Sequence, residues 1–455
     1  MDKNSENTQF ELSDVLIEQV EFLIETKNDK ELKTLLSEYH YADIAEILDE
    51  VDLEQALYVI KLLDSETTAD VLMELDEDDR EKVLKNLSAK EIAEEIEELD
   101  TDDAADIIAE LPEERQQNVI AQIEDQEHQA EIRELLKYDE YSAGGLMAKE
   151  LVKVYETWTV AGCLRRIRAQ AEEVTRVHSI YVVDKQEKLV GRLSLKDLIV
   201  AKNEFKISDI CKSVDYVNVN DDAEDVAKVM QKYDLEAIPV VDTNNTLLGR
   251  ITIDDMVDFI KEEAEKDYQM AAGLVNDVDA EDSIFDLTKA RLPWLFLGLL
   301  GGVGAFLIME GFQDAFSKYA VLFFFTPLIA AMAGNVGVQS SAIIVQGLAN
   351  DDIKGSINTR LLKEMFLALL NGIILAIFLF GFVWVYGGEM TKALAISVSL
   401  IVVIVVAGLI GTFIPLFLDK RGIDPAIATG PFITTSNDIF GILIYFWIAK
   451  LILGI

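Results

Sequence analysis

The stretch IYVVDKQEKLVGRLSLKDLI (180–199) returns 58 residues later as IPVVDTNNTLLGRITIDDMV (238–257). In each copy an apolar, strand-like triplet precedes an Asp-led turn. A second short apolar run then passes through Gly-Arg into Ser/Thr-x-x-Asp, which reads as a helix start. Helical patterns upstream, at about 160–173 and 222–233, complete each copy. Because the pattern occurs twice in register, it is a specific sign of two small α/β modules in tandem.

The pair resembles tandem CBS domains, with boundaries at 138–200 and 201–260. CBS pairs commonly bind adenine nucleotides, so the resemblance implies ATP or a related nucleotide as ligand, with Asp197 and Asp255 reaching the ribose. Ser194 and Thr252 read equally well as helix caps, Thr252 with Asp255 forming a capping box. The sequence leaves both readings open.

Residues 1–137, upstream of the pair, read as short amphipathic helices. YADIAEILDEVD (41–52), TADVLMELDEDD (68–79), KEIAEEIEELDTDD (90–103) and AADIIAELPEE (104–114) each set acids beside apolar residues at helical spacing and close on an acidic break. Stacked helical hairpins follow from that pattern. The N-terminal MDKNSENTQFELSD has no basic region followed by an apolar run, so no cleaved signal peptide is expected. Cys163 and Cys211 form no metal or redox spacing. His40, His128 and His178 are too scattered for a zinc site.

Charge divides the chain sharply. Residues 286–455 carry 10 acidic and 10 basic residues, so the whole net charge of −42 falls on the first 285, with 72 Asp and Glu against 30 Lys and Arg. Such a density opposes a compact state unless cations screen or bridge it. It also argues against nucleic acid as a partner.

Downstream of the pair, DDMVDFIKEEAEKDYQMAAG (254–273) reads as a helix with Asp255, Asp258, Glu262 and Glu265 close to one face. It opens a connecting segment, 254–285, that leads to a membrane domain at 286–455. Five apolar runs there, near 292–309, 319–346, 364–386, 393–418 and 427–453, approach the length a bilayer requires. The first is short, and Gly and Pro interrupt the second and fifth. Lys289, Arg291, Lys354, Arg360, Lys363, Lys420 and Arg421 fall on one side, against Lys318, Lys392 and Lys450 on the other. The positive-inside bias predicts a cytoplasmic N-terminal region and a C-terminus on the outer side of the plasma (inner) membrane.

Polar residues inside the runs carry the functional signal. In TPLIAAMAGNVGVQSS (326–341), Asn335 and Gln339 share a face, while Gly334 and Gly337 admit a close neighbour. In DPAIATGPFITTSNDIFG (424–441), Asp438 lies about 12 residues into the fifth run, ~18 Å along a helix and near the midplane. A carboxylate at that depth costs ~2.5–3.5 kcal/mol and is kept mainly where it lines water or binds an ion. No other run offers a Lys or Arg near its centre to pair with it.

These two motifs, and the order of parts around them, resemble the MgtE family of magnesium channels. The resemblance implies a multidomain chain: an all-α helical-repeat N-terminal domain, tandem α/β CBS domains, a connecting helix and a five-helix α transmembrane domain. It implies a homodimer in the lipid bilayer that conducts Mg²⁺ and is closed by intracellular Mg²⁺. Asp438, Asn335, Gly334 and Gln339 would line the ion path. The positions matching the family's sensor acids are Asp70, Asp102, Asp106, Asp222, Glu224, Asp234, Asp255, Asp258, Glu263 and Asp424. Lys266 beside Asp267 departs from the family pattern near the membrane. The chemistry is compatible, because Mg²⁺ prefers octahedral oxygen and sheds its water reluctantly. The spans place no soft-metal ligand set around it. Two other classes remain: a CBS-regulated cation-coupled transporter or exporter, and a membrane-anchored nucleotide sensor. No catalytic constellation is present, and no enzyme activity is expected.

Overall fold

Each acidic break in the N-terminal region starts a new helix. The computed structural model describes residues 10, 12–170, 176–275, 278, 282–316, 319–350, 353, 356–387, 389–428 and 430–454. Among them the first region holds ten helices: α1 (Asp14–Glu25), α2 (Asp29–Leu36), α3 (Tyr41–Asp49), α4 (Leu53–Ile60), α5 (Ser65–Glu74), α6 (Glu77–Asn86), α7 (Ala89–Ile96), α8 (Thr101–Ala109), α9 (Glu113–Ile120) and α10 (Gln126–Leu135). Cap positions recur every 12 residues, at Asn28, His40, Asp52, Asp64, Asp76, Ser88, Asp100 and Pro112. The residue before four of these eight caps is a buried leucine: Leu75, Leu87, Leu99 and Leu111.

Helices two apart pack together: α3 on α5, α5 on α7, α7 on α9, α4 on α6 and α8 on α10. The result is a solenoid with one continuous apolar core. Orphan carbonyls at helix ends are taken up from the helix that follows. Arg80 donates to the carbonyls of Met73 (3.0 Å) and Leu75 (3.2 Å), and Gln116 to that of Leu111 (2.8 Å). The acidic breaks expected in the stretches 68–79 and 90–103 fall at the turns Leu75–Asp76 and Glu97–Asp100, where one helix ends and the next begins.

The duplication folds as expected, twice with one topology. The first copy contains β1 (Val152–Tyr155), α11 (Val160–Gln170), β2 (Ile180–Val183), β3 (Leu189–Leu193) and α12 (Leu195–Val200). The second contains α13 (Ile207–Ile210), β4 (Val217–Asn218), α14 (Ala223–Tyr233), β5 (Ala237–Val241), β6 (Leu247–Thr252) and α15 (Ile253–Ala272). In each, the first strand pairs parallel to the second and the second antiparallel to the third. Equivalent turns of the two copies meet, with Leu189 N–H donating to the Asn245 carbonyl (2.9 Å) and Leu247 N–H to that of Glu187 (3.0 Å). The upstream part of each module, β1 and β4, lies outside the duplicated motif. Residues 171–173 of the first upstream helix lie outside the described residues.

Solenoid and paired modules form one compact unit, Met1–Ile260, and the remainder, Lys261–Ile455, forms another. The second unit holds α16 (Ile284–Phe316), α17 (Val321–Ala349), α18 (Ile357–Gly387), α19 (Met390–Asp419) and α20 (Gly430–Leu453), with a 3₁₀ turn at Pro425–Ala428. Among the described residues these five helices are long and apolar enough to cross a membrane. The first four are longer than the apolar runs, because flanking residues extend each helix. Pro327 is accommodated inside α17, so the second run is not broken there. The fifth helix starts at Gly430 rather than at 427. Lys318 and Lys354, two of the charges behind the orientation, lie outside the described residues.

The helix α19 is the hub, packing on α17, α18 and α20, while α16 rests chiefly on α20. At the start of α20, Gly430 (φ +48°) lets the Ala271 carbonyl approach to where a Cβ would be only 2.1 Å away. Gly273 (φ +86°) meets Pro431 in the same manner, a Cβ there standing 2.4 Å from the ring. Only glycine tolerates both the left-handed backbone and the approach.

Candidate ion pathway and acidic junction

The four residues expected along the ion path converge. A cavity of about 400 Å³ is lined by Ala330, Ala331, Gly334, Asn335, Val338 and Gln339 of α17 and by Thr434 and Asp438 of α20. Small residues make the convergence possible: a Cβ on Gly334 would lie 3.6 Å from Asp438 Oδ1 and 3.3 Å from Thr434 Cγ2. Because α20 begins at Gly430, Asp438 stands eight residues in, ~12 Å along a helix. It therefore sits nearer the start of the span than the sequence estimate of ~18 Å placed it. A second, wider cavity of about 880 Å³ also reaches Asp438, from the side of Arg291, Trp294 and the glycines of α16. Thr434, missed in the sequence, stands one turn before Asp438, and that spacing was its available signal.

The sensor acids behave differently from one another. Asp102 is 6% exposed, and its carboxylate lies with those of Asp100 and Glu150 so that one oxygen of each falls within 4.8 Å of the others. Asp100 occupies a cap position of the 12-residue repeat but makes no cap hydrogen bond. Glu150 caps α8 in its place, accepting from Thr101 N–H (3.2 Å) and Thr101 Oγ1 (2.9 Å). Asp100 is thereby released toward Arg250, whose Nη2 lies 3.4 Å from its Oδ2, while Arg250 Nε donates to the Glu150 carbonyl. Arg250 is only 6% exposed. Asp100 and Glu150 were not singled out in the sequence; Glu150 is brought to Asp102 only by the fold, and Asp100, two residues before it, reads there as an ordinary helix cap.

Burial, reinforced by Glu150, raises the Asp100 carboxyl to about 6, although Arg250 pulls the other way. Burial, then Asp255 and Asp106, pushes Asp103 up to about 8. Burial likewise raises Asp102 well above the usual carboxylate range, and Asp255 less so. All four hold protons more tightly folded than unfolded, so their contribution opposes folding as pH rises from about 4 through the raised values. Metal-free protein is expected to melt several degrees higher at about pH 5.5 than at about pH 8. Melting curves with a chelator and then with added Mg²⁺ check this, and Mg²⁺ should narrow the gap.

The other predicted acids serve local roles in this conformation. Asp70 stands beside Glu66 and is raised mainly by burial. Asp258 raises Glu74, after burial. Asp222 caps α14 by accepting from Glu224 N–H (2.9 Å), Glu224 lies 3.5 Å from Lys228, and Asp234 ends the helix in left-handed conformation. Glu263 pairs with Lys266 at 3.3 Å, and Asp424 accepts from Ala426 N–H at 2.7 Å. Asp106 lies one turn beyond Asp102 on α8.

At the nucleotide positions, both Ser/Thr-x-x-Asp motifs form their capping contacts. Asp197 accepts from Ser194 Oγ (2.7 Å) and Lys212 Nζ (2.7 Å), which with the Ser194 backbone hold it down to about 2. Asp255 accepts from Thr252 N–H at 3.2 Å and from its hydroxyl. A ribose at Asp197 would have to share or displace Lys212.

A helical solenoid, a paired α/β module and five apolar helices with a carboxylate-lined cavity together define a polytopic membrane protein carrying an acidic N-terminal region. Comparison with known proteins gives the same class. The family described as "Divalent cation transporter" matches residues 326–448, the MgtE intracellular N domain matches 39–141, and the CBS domain matches 143–204 and 207–262. The magnesium transporter MgtE of Enterococcus faecalis is 38% identical over 319 residues, 70% of each chain. That of Thermus thermophilus is 37% identical over 323 residues, 70% of this chain and 72% of the other. A crystal structure of the cytosolic domain of the Mg²⁺ channel MgtE in complex with ATP is 34% identical with a TM-score of 0.51, covering 53% of this chain and 99% of that one. The chain belongs to the MgtE family of magnesium transporters.

Proposed function

We propose that the protein is a homodimeric, Mg²⁺-selective channel for magnesium uptake across the plasma membrane, closed by intracellular Mg²⁺ at its acidic cytoplasmic region. The convergence of Asp438, Asn335, Gln339 and Gly334 on one cavity carries the reading. An ion that keeps its water shell needs charge and hydrogen-bond acceptors at a distance rather than a tight cage of ligands. Asp438 supplies the charge, and in a dimer two such carboxylates match the charge of one Mg²⁺. Asn335 and Gln339 offer amide oxygens to the water around it.

For regulation, the Asp100, Asp102 and Glu150 set fits a divalent cation, being three oxygen donors close enough to share one. Mg²⁺ bound there supplies positive charge. Without it, the carboxylates of α8, Glu150 and Asp255 repel one another, so the compact arrangement of the region is favoured when the cation is plentiful. Asp70, Asp106, Asp222, Glu224, Asp234, Asp258, Glu263 and Asp424 extend the same logic to weaker positions. Their joint action makes closure steep in Mg²⁺ concentration. The ATP-bound relative supports an adenine nucleotide at the paired modules, near Asp197 and Asp255.

Proteoliposomes loaded with a Mg²⁺ indicator test the reading. Flux down the gradient is expected when Mg²⁺ is scarce on the face bearing the acidic region, and is expected to stop when it is abundant there. Flux that requires a proton or sodium gradient would instead mark a coupled transporter. Nucleotide binding with no flux under either condition would mark a sensor.

A further inference from the structure

Asn437 stands one residue before Asp438, about 100° round the helix from it. Where Asp438 meets the cavity, Asn437 is buried to 1% exposure against α17. A Cβ on Gly337 would lie 1.7 Å from Asn437 Nδ2, so the amide fills the notch that the missing side chain leaves. Neither the nitrogen nor the oxygen of that amide has a hydrogen-bond partner among the described residues. Across the same crossing, a Cβ on Gly411 of α19 would stand 2.3 Å from the Gly337 carbonyl. Ser341, one turn beyond Gly337, and Thr412, next to Gly411, are buried hydroxyls that also lack partners among the described residues.

An apolar side chain of the same size would fill this notch without the cost of burying an amide. A single buried polar residue in a helix interface is a known way to fix register at the expense of stability, and here only one register sets the amide opposite the space that Gly337 leaves. We propose that Asn437 is a positioning residue for ion selection: a polar wedge at the Gly337–Gly411 crossing that fixes the rotation and depth of α20, and so the place of Asp438 in the cavity. The inference rests on the channel reading above and deepens it. Asn437 acts through Asp438 and does not itself line the cavity.

The test measures Mg²⁺ and Ca²⁺ flux in proteoliposomes, with melting temperature, for wild type, Asn437→Leu and Asn437→Ala. Asn437→Leu is expected to melt at or above the wild-type temperature. Its half-saturating Mg²⁺ concentration should nevertheless rise roughly tenfold, with a similar fall in the Mg²⁺-over-Ca²⁺ flux ratio. Asn437→Ala should shift both flux readouts the same way. Wild-type half-saturation and flux ratio in either folded variant overturn the proposal. Loss of folded protein in both variants also overturns it, because the amide would then hold the fold and not the register. A wild type that passes no Mg²⁺ removes the channel reading, and this inference with it.

Discussion

Asp438→Asn is expected to lower Mg²⁺ flux by at least about a hundredfold while leaving the protein as stable as the wild type, or more so. The substitution keeps the shape of the side chain and removes only its charge. The cavity it lines with Asn335, Gln339 and Gly334 is otherwise neutral, so nothing else there attracts a divalent cation. In a dimer the variant removes both charges at once, and the electrostatic stabilisation of a divalent ion in a low-dielectric site is the largest contribution the protein can make. The stability half of the prediction follows from insertion costs: a carboxylate deep in the membrane costs ~2.5–3.5 kcal/mol that a neutral amide largely avoids. Flux and thermal melting on the same preparation check the pair of outcomes. Undiminished flux in the variant would remove Asp438 from the ion path.

The second large effect is expected at the acidic junction around Arg250. Arg250→Ala should destabilise the metal-free unit by about 3 kcal/mol, the range for breaking a buried ion pair by removing one partner. Arg250 is nearly fully buried, pairs with Asp100 and donates to the Glu150 carbonyl. Its removal leaves Asp100, Asp102, Asp103 and Asp255 with one cation fewer. For a unit of this size the melting temperature should fall by roughly 6–12 °C. Added Mg²⁺ should recover more of that loss than it adds to the wild type, since Arg250 no longer competes for the carboxylates. Arg250→Lys should not restore the wild-type curve, because an ammonium cannot make both contacts from that position. Equal melting of variant and wild type without metal would show the pair to be energetically neutral.

Sequence legibility followed period. The 58-residue duplication was readable because both copies keep the same strand–turn–strand–helix order, and the fold repeats it strand for strand. Asp438, Asn335 and Gln339 stand out in the sequence because polar residues inside apolar runs need a reason, and with Gly334 they line one cavity. The 12-residue cap period of the solenoid was present in the sequence but hidden. A buried leucine stands directly before the caps at 76, 88, 100 and 112, but Lys27 precedes the cap at Asn28, and the caps themselves vary among Asn, His, Asp, Ser and Pro. The acidic junction was legible only in part. Asp102 and Asp255 were named, whereas Glu150 lies 49 residues from Thr101, and nothing local announces that it caps α8 in place of Asp100.

The meshing of Gly430 with Ala271, and of Gly273 with Pro431, also ties the end of α15 to the start of α20. With no side chain between the backbones, there is no compressible layer to take up movement. A displacement of the end of α15 is therefore handed on undamped to the start of α20. Asp438 is eight residues farther along the same rod, ~12 Å away. On the channel reading proposed above, a movement of the end of α15 and a movement of Asp438 are then one event with one rate rather than two events in series.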